Sequence, residues 1–176
     1  DSVVFGFSGD QLKILLMEYH NTGLFALPGG FVGRRTDLDA AVRAGLEERT
    51  GLSGIYMEQF RTFGDCSRHD ASVMKKILNA NGIEVDKHHW MLDRFITVAY
   101  YALINYKDVK LQLDALSDSC DWYPLEALPE LILDHNIIVQ QALQTLRRNL
   151  DDHIAGMKLL PEKFTMKDLQ QVYENI

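Results

Sequence analysis

The run A-L-P-G-G-F-V-G-R-R-T-D-L-D-A-A-V-R-A-G-L-E-E-R-T-G-L, from Ala26 to Leu52, decides the fold. It leaves a short hydrophobic strand, Leu24 to Leu27, which Pro28 stops because it has no N–H for a ladder. Gly29-Gly30 then permits positive φ and close approach of the backbone. Thr36, with Asp39 three residues on, is a capping-box pattern that opens a helix. Leu38, Ala41, Val42 and Leu46 are its apolar stripe, and Gly51 stands where a helix closes on a left-handed residue.

The flanks extend this into a layered α+β domain. Ser2–Phe7 and Leu12–Met17 are apolar runs around Ser8-Gly9-Asp10-Gln11, a hairpin signature. The second run is almost continuously apolar, so both its faces must be covered and the sheet must lie between layers. Ile55–Phe63 reads as a strand and Arg94–Ile104 as the strongest strand in the chain. Between them Ser67 to Asp93 is an excursion with a helix, marked by Val73, Met74, Ile77 and Leu78 and ended by Asn81-Gly82. Tyr106–Cys120 reads as loop, Asp121–Tyr123 as a short strand and Pro124–Pro129 as a helical turn. Ile137–Leu150 reads as a helix with Val139, Ala142, Leu143 and Leu146 inward and Arg147-Arg148 in the last turn, where they suit the dipole. Thr165 with Asp168 opens another helix carrying Leu169, Val172, Tyr173 and Ile176.

Composition bounds the class. The 176 residues are 47% hydrophobic and 24% charged, the profile of a soluble globular protein. A net charge of -7 disfavours non-specific affinity for nucleic acid. Cys66 and Cys120 have no metal-type spacing and read as free thiols of a cytoplasmic protein. The longest apolar runs are strand-sized, so no membrane span is expected. The sequence opens directly in a strand-like run, from which a preceding segment is expected.

From Gly30 to Leu52 the register resembles the Nudix box, G-x5-E-x7-R-E-U-x-E-E-x-G-U, with no gap. Gly30, Leu46, Glu48, Gly51 and Leu52 match. Thr36 stands in place of the first Glu, Ala44 of the Arg, and Gly45 and Arg49 of two clustered Glu. Magnesium needs several hard oxygen ligands in near-octahedral array. Here a single clustered carboxylate, Glu48, is left beside a guanidinium. A fixed positive charge ~5 Å from a divalent ion repels it by about 6–7 kcal/mol at an effective dielectric of ~20. Asp37 and Asp39, beside the helix start, are the other acids within reach. The competing reading is an ordinary capped helix that never held a metal.

The resemblance widens to Tyr56-Met57-Glu58-Gln59, Thr62-Phe63-Gly64-Asp65, the Tyr100–Leu103 strand, and Leu159-Leu160-Pro161 leading into Phe164-Thr165. These are similar to the Nudix-related transcriptional regulators, which join a Nudix-type effector domain to a C-terminal winged helix. The resemblance implies a Nudix α/β/α sandwich with a mixed sheet over 1–150. It implies a linker and the first helix of a winged-helix DNA-binding domain over 151–176, with the DNA-reading parts beyond Ile176. It further implies a sugar or ADP-ribose-type effector, a homodimer, and no hydrolysis. The excursion Ser67–Asp93 is longer than the resemblance implies.

Candidate ligand-binding residues follow. Gly29 and Gly30 offer backbone. Phe25 and Phe31, with Tyr56, are rings for an adenine or a sugar; aromatic residues in strands are also core residues. Arg68 and Arg94 flank the excursion and suit an anionic group, or else form internal ion pairs. His69, His88 and His89 with Cys66 lack ligand spacing and read as surface residues. The alternatives left open are a magnesium-dependent Nudix pyrophosphohydrolase built on Glu48, acting on a nucleoside diphosphate linked to another moiety, and an interaction module without ligand.

Overall fold

A computed structural model describes residues 1–8, 11–105 and 111–150, together with Gln170 and Glu174. The linker and first winged-helix element expected at 151–176 lie outside the described residues, apart from those two positions.

Among the described residues six strands form one mixed sheet: β1 Ser2–Ser8, β2 Gln11–Tyr19, β3 Leu24–Ala26, β4 Glu58–Phe63, β5 Thr97–Asn105 and β6 Ser117–Pro124. The main path runs β3-β2-β1-β5-β4, and β6 pairs with β2. The β1–β2 hairpin is present with Ser8 opposite Gln11, and β1 lies parallel to β5. Among the described residues of 1–150, three α-helices accompany the sheet: α1 Leu38–Thr50, α2 Ala71–Ala80 and α3 His135–Leu150.

The alternation of β1 and β2 between two faces builds the sandwich. Val3, Phe5, Ile14 and Leu16 pack on one face with Ile138, Val139, Ala142 and Leu146 of α3. Val4 and Leu15 pack on the other with Leu46 of α1 and Leu52. A strand covered on both faces reads as continuously apolar, which is why Ile14 to Met17 shows no polar alternation and is fully buried.

Several boundaries differ from the sequence expectation. Asp37, not Thr36, caps α1, its Oδ1 accepting from Ala40 N at 2.8 Å. Leu38 is exposed, and Leu46 with Thr50 carries the burial of α1. The strand expected from Ile55 begins at Glu58; Ile55 and Met57 instead pack as loop residues against the α1-side core. Ser117–Cys120, read as loop, extends β6. Its polarity masked an intact ladder with β2, in which Cys120 faces Met17 and Ser119 faces Glu18.

The excursion between β4 and β5 is folded. Asp70 caps α2 through Ser72 N and Val73 N. Ile77 of α2 packs with Ala26 and Ile132, and Lys76 Nζ donates to Thr22 O at 2.9 Å. The excursion therefore sits at the end of the sheet that carries β3, next to the glycine turn.

Candidate functional site

The turn that leads into α1 is held from below. Leu27 N donates to Nδ1 of His135, the first residue of α3, at 3.1 Å. Burial pushes the His135 imidazole down to about 3, so it stays neutral and accepts. Ser2 N donates to Pro28 O at 2.8 Å. Neither Gly29 nor Gly30 uses positive φ, contrary to one of the two reasons for expecting glycine there. Close approach is the reason that holds at Gly29, where a Cβ would run into the Asp1 carboxylate, whereas a Cβ on Gly30 would meet the Gly45 Cα at 3.7 Å, an ordinary contact. The glycine at position 45 thus lies backbone to backbone with the turn, at a position where the box pattern has a carboxylate.

The acids around α1 are engaged elsewhere or stand alone. Asp37 caps the helix. Asp39 accepts from the Tyr100 hydroxyl at 3.1 Å. Burial, then the Asp39 hydrogen bond, raises the Tyr100 phenol above its ordinary value. Glu48 is exposed. Arg49 does not face a vacant metal position. Its Nη1 is paired with Asp114, its Nη2 donates to Tyr19 Oη at 3.2 Å, and the guanidinium sits 5.5 Å from the Tyr19 ring centroid.

The ligand candidates separate into two groups. Arg68 is 5% exposed, with Nε and Nη2 on the two Asp134 oxygens at 2.8 and 3.0 Å and Nη1 on Phe95 O at 2.7 Å. That geometry makes it an internal strut, the second of the two readings its sequence left open. Phe25 likewise packs edge-on to Tyr123 at 5.5 Å against the core. Arg94 is exposed and donates to Gly64 O at 2.6 Å.

Phe31 stays at the surface and meets two rings that the sequence reading did not select. Trp90 lies 4.9 Å away and Phe95 5.1 Å, while Trp90 and Phe95 are 6.0 Å apart. Phe31 is 55% and Trp90 53% exposed. This three-ring patch joins the Gly29-Gly30 turn to the excursion. Lys87-His88-His89-Trp90 carried the signal, an aromatic residue inside a polar loop. Tyr56 is exposed and belongs to none of these ring pairs. A cleft of about 580 Å³ between the 125–130 turn and α3, lined by Leu125, Leu128, Val139 and Leu143 together with Glu130 and Asn136, lies apart from the box.

The magnesium that a Nudix fold implies does not fit this box. A glycine, a threonine and a paired arginine occupy ligand positions. Among the described residues no three His, Cys, Asp or Glu side chains converge on an ion. No described helix is long and apolar enough to cross a membrane.

A mixed sheet between α1 and α3, entered through a glycine turn and a box-spaced helix, defines the Nudix class. No protein-family model matches the chain. The chain is 32% identical to the ADPR responsive transcriptional repressor NtrR of Acinetobacter baylyi, over all of its own length and 64% of that protein's. It therefore spans somewhat less than two thirds of this curated relative. NrtR of Shewanella oneidensis complexed with a 27mer DNA is 32% identical, with a TM-score of 0.68 over 99% of this chain and 73% of that one. The NUDIX domain of the same protein complexed with ADP ribose is 32% identical, with a TM-score of 0.63 over 83% and 85%. The chain belongs to the Nudix superfamily and, within it, to the family of Nudix-related transcriptional regulators that NrtR represents.

Proposed function

We propose that the protein is a ligand-sensing transcriptional regulator of the cytoplasm whose Nudix-type domain, residues 1–150, binds an ADP-ribose-type effector without hydrolysing it. The observation that carries this is the box itself: its shape is kept by Gly30, Leu46, Gly51 and Leu52, while Gly45 and Arg49 replace carboxylates. A fold retained with its chemistry removed suits recognition better than turnover. The relatives complexed with ADP ribose and with DNA support the same reading.

The effector's contacts are the Gly29-Gly30 backbone, the ring face of Phe31 with Trp90 and Phe95, and the exposed guanidinium of Arg94. Stacking on such rings tolerates any flat base and contributes about 1–3 kcal/mol each. Residues 151–176 act as the linker and first helix of a winged-helix domain, DNA is read by residues beyond Ile176, and the working unit is a homodimer. Effector binding shifts the balance between arrangements of the two DNA-binding arms.

Thermal melts of the full-length protein with ADP-ribose in EDTA test the effector step. At ~100 Kd a specific ligand stabilises by about 2.7 kcal/mol, roughly 5–11 °C for a domain of this size. No shift at millimolar ADP-ribose would remove ADP-ribose as the effector. The second reading, a pyrophosphohydrolase, has one observation in its favour: Glu48 is exposed at its box position. Magnesium-dependent release of AMP, abolished by Glu48→Gln, is its signature.

A further inference from the structure

The misfit of magnesium has a positive counterpart. Arg49 occupies a ligand position of the box, yet it is only 11% exposed and pairs with Asp114, itself 9% exposed, from a loop 65 residues further on. That loop is seated on the end of α1 by more than the ion pair. Gln112 N donates to Thr50 O at 2.9 Å, and Leu111 packs against the α1-side core. Gly51, at φ 75°, leaves the room: a Cβ there would come within 2.9 Å of Gln112 Cβ. A cation is therefore present between the box helix and the Asp114 loop, and it is covalently part of the helix.

We propose that Arg49 is the resident cation of this box, a positioning residue that bridges α1 to the Asp114 loop in place of a divalent ion and leaves the domain independent of metal. A guanidinium suits this place. Its planar fork gives directed bonds to one carboxylate and one phenol oxygen, whereas a magnesium ion would ask for about six oxygens. Asp114 and the Tyr19 hydroxyl are the oxygen partners the structure gives the guanidinium. The role stands independently of whether the chain regulates transcription or cleaves a substrate.

Reversal of the charge tests it. In R49E two carboxylates face each other across the same gap, an arrangement that repels itself and that a divalent ion relieves. Full-length wild type, R49E, R49M and R49E/D114N are melted in EDTA and in millimolar manganese. Wild type is expected to melt at the same temperature in both. R49E is expected to melt roughly 5–10 °C lower in EDTA and to regain at least half the loss with manganese. R49M, which keeps the bulk without charge, loses stability and regains none; R49E/D114N regains none. The proposal is overturned if manganese stabilises wild type as it does R49E. It is overturned equally if R49E matches wild type in EDTA, if R49E and R49M respond alike, or if R49E folds in neither condition.

Discussion

Tyr100 and Tyr101 are neighbours on β5 whose hydroxyls bond to opposite layers of the sandwich. The Tyr100 hydroxyl donates to Asp39 of α1. The Tyr101 hydroxyl donates to Glu58 of β4 at 2.9 Å and accepts from Asn149 near the end of α3 at 2.8 Å. Asn149 also donates to Glu58 at 3.1 Å, closing a three-residue knot. One step along a strand thus ties the box helix to the helix from which the chain leaves the described domain.

Removing the second hydroxyl tests that knot. Tyr101→Phe leaves Asn149 and Glu58 with one bond between them and a half-buried acceptor short of a partner. The expected cost is about 1–2 kcal/mol, a fall of roughly 2–8 °C in Tm, measured by thermal melting at neutral pH.

Stability should fall at both ends of the pH scale for different reasons. Burial depresses His135 to about 3, so between pH 6.5 and that value the unfolded chain takes up a proton that the folded one refuses. Its contribution is present above pH 6.5 and declines as pH falls, and His135→Gln should flatten the urea-midpoint slope between pH 6.5 and 5. On the alkaline side, burial raises Cys120 to about 12 and Tyr101 to about 12. Their contributions are complete below the ordinary values of 9 and 10 and are lost as pH rises toward 12. Cys120→Ala should reduce the decline in urea midpoint between pH 8.5 and 10.5.

Two box residues carry shape rather than chemistry. Leu46 is buried between α1 and the sheet, so Leu46→Ala should cost about 2–5 kcal/mol. Gly51→Ala meets both a left-handed φ of 75° and the Gln112 side chain, and should cost at least about 1 kcal/mol. Denaturant titration reads both.

The three-ring patch predicts a selective loss. Trp90→Ala should weaken binding of ADP-ribose by roughly 5- to 150-fold, the range of one stacking contact, while leaving affinity for ribose 5-phosphate within about twofold. Calorimetry with both ligands separates this from a general loss of the fold.

The sandwich was legible because Val3 to Phe7 and Leu12 to Met17 carry the two-faced burial in their own composition, and because Pro28, Gly51 and Asn81-Gly82 punctuate it. The strand at Ser117–Cys120 was not legible, since its partner is β2 and its side chains are polar. Within the box, local register was enough to show which carboxylates are missing. What Arg49 does instead depends on Asp114, a contact across 65 residues that no spacing reports. The choice between the two readings of Arg68 was hidden for the same reason: its acceptors, Asp134 and the Phe95 carbonyl, are distant in sequence. Phe31 was singled out, but its partners are Trp90, from the excursion, and Phe95, just beyond it, and they are brought to it by the tertiary docking of the excursion's helix α2 on β3.

The central claim, sensing without hydrolysis, comes down to one measurement: fluorescence anisotropy of the full-length protein on DNA from the promoter region of its own gene, with ADP-ribose titrated in and the nucleotide recovered afterwards. The account predicts specific binding, a shift of that binding by ADP-ribose in EDTA as well as in magnesium, and ADP-ribose recovered intact. Magnesium-dependent conversion to AMP with no effect on any DNA complex would contradict it.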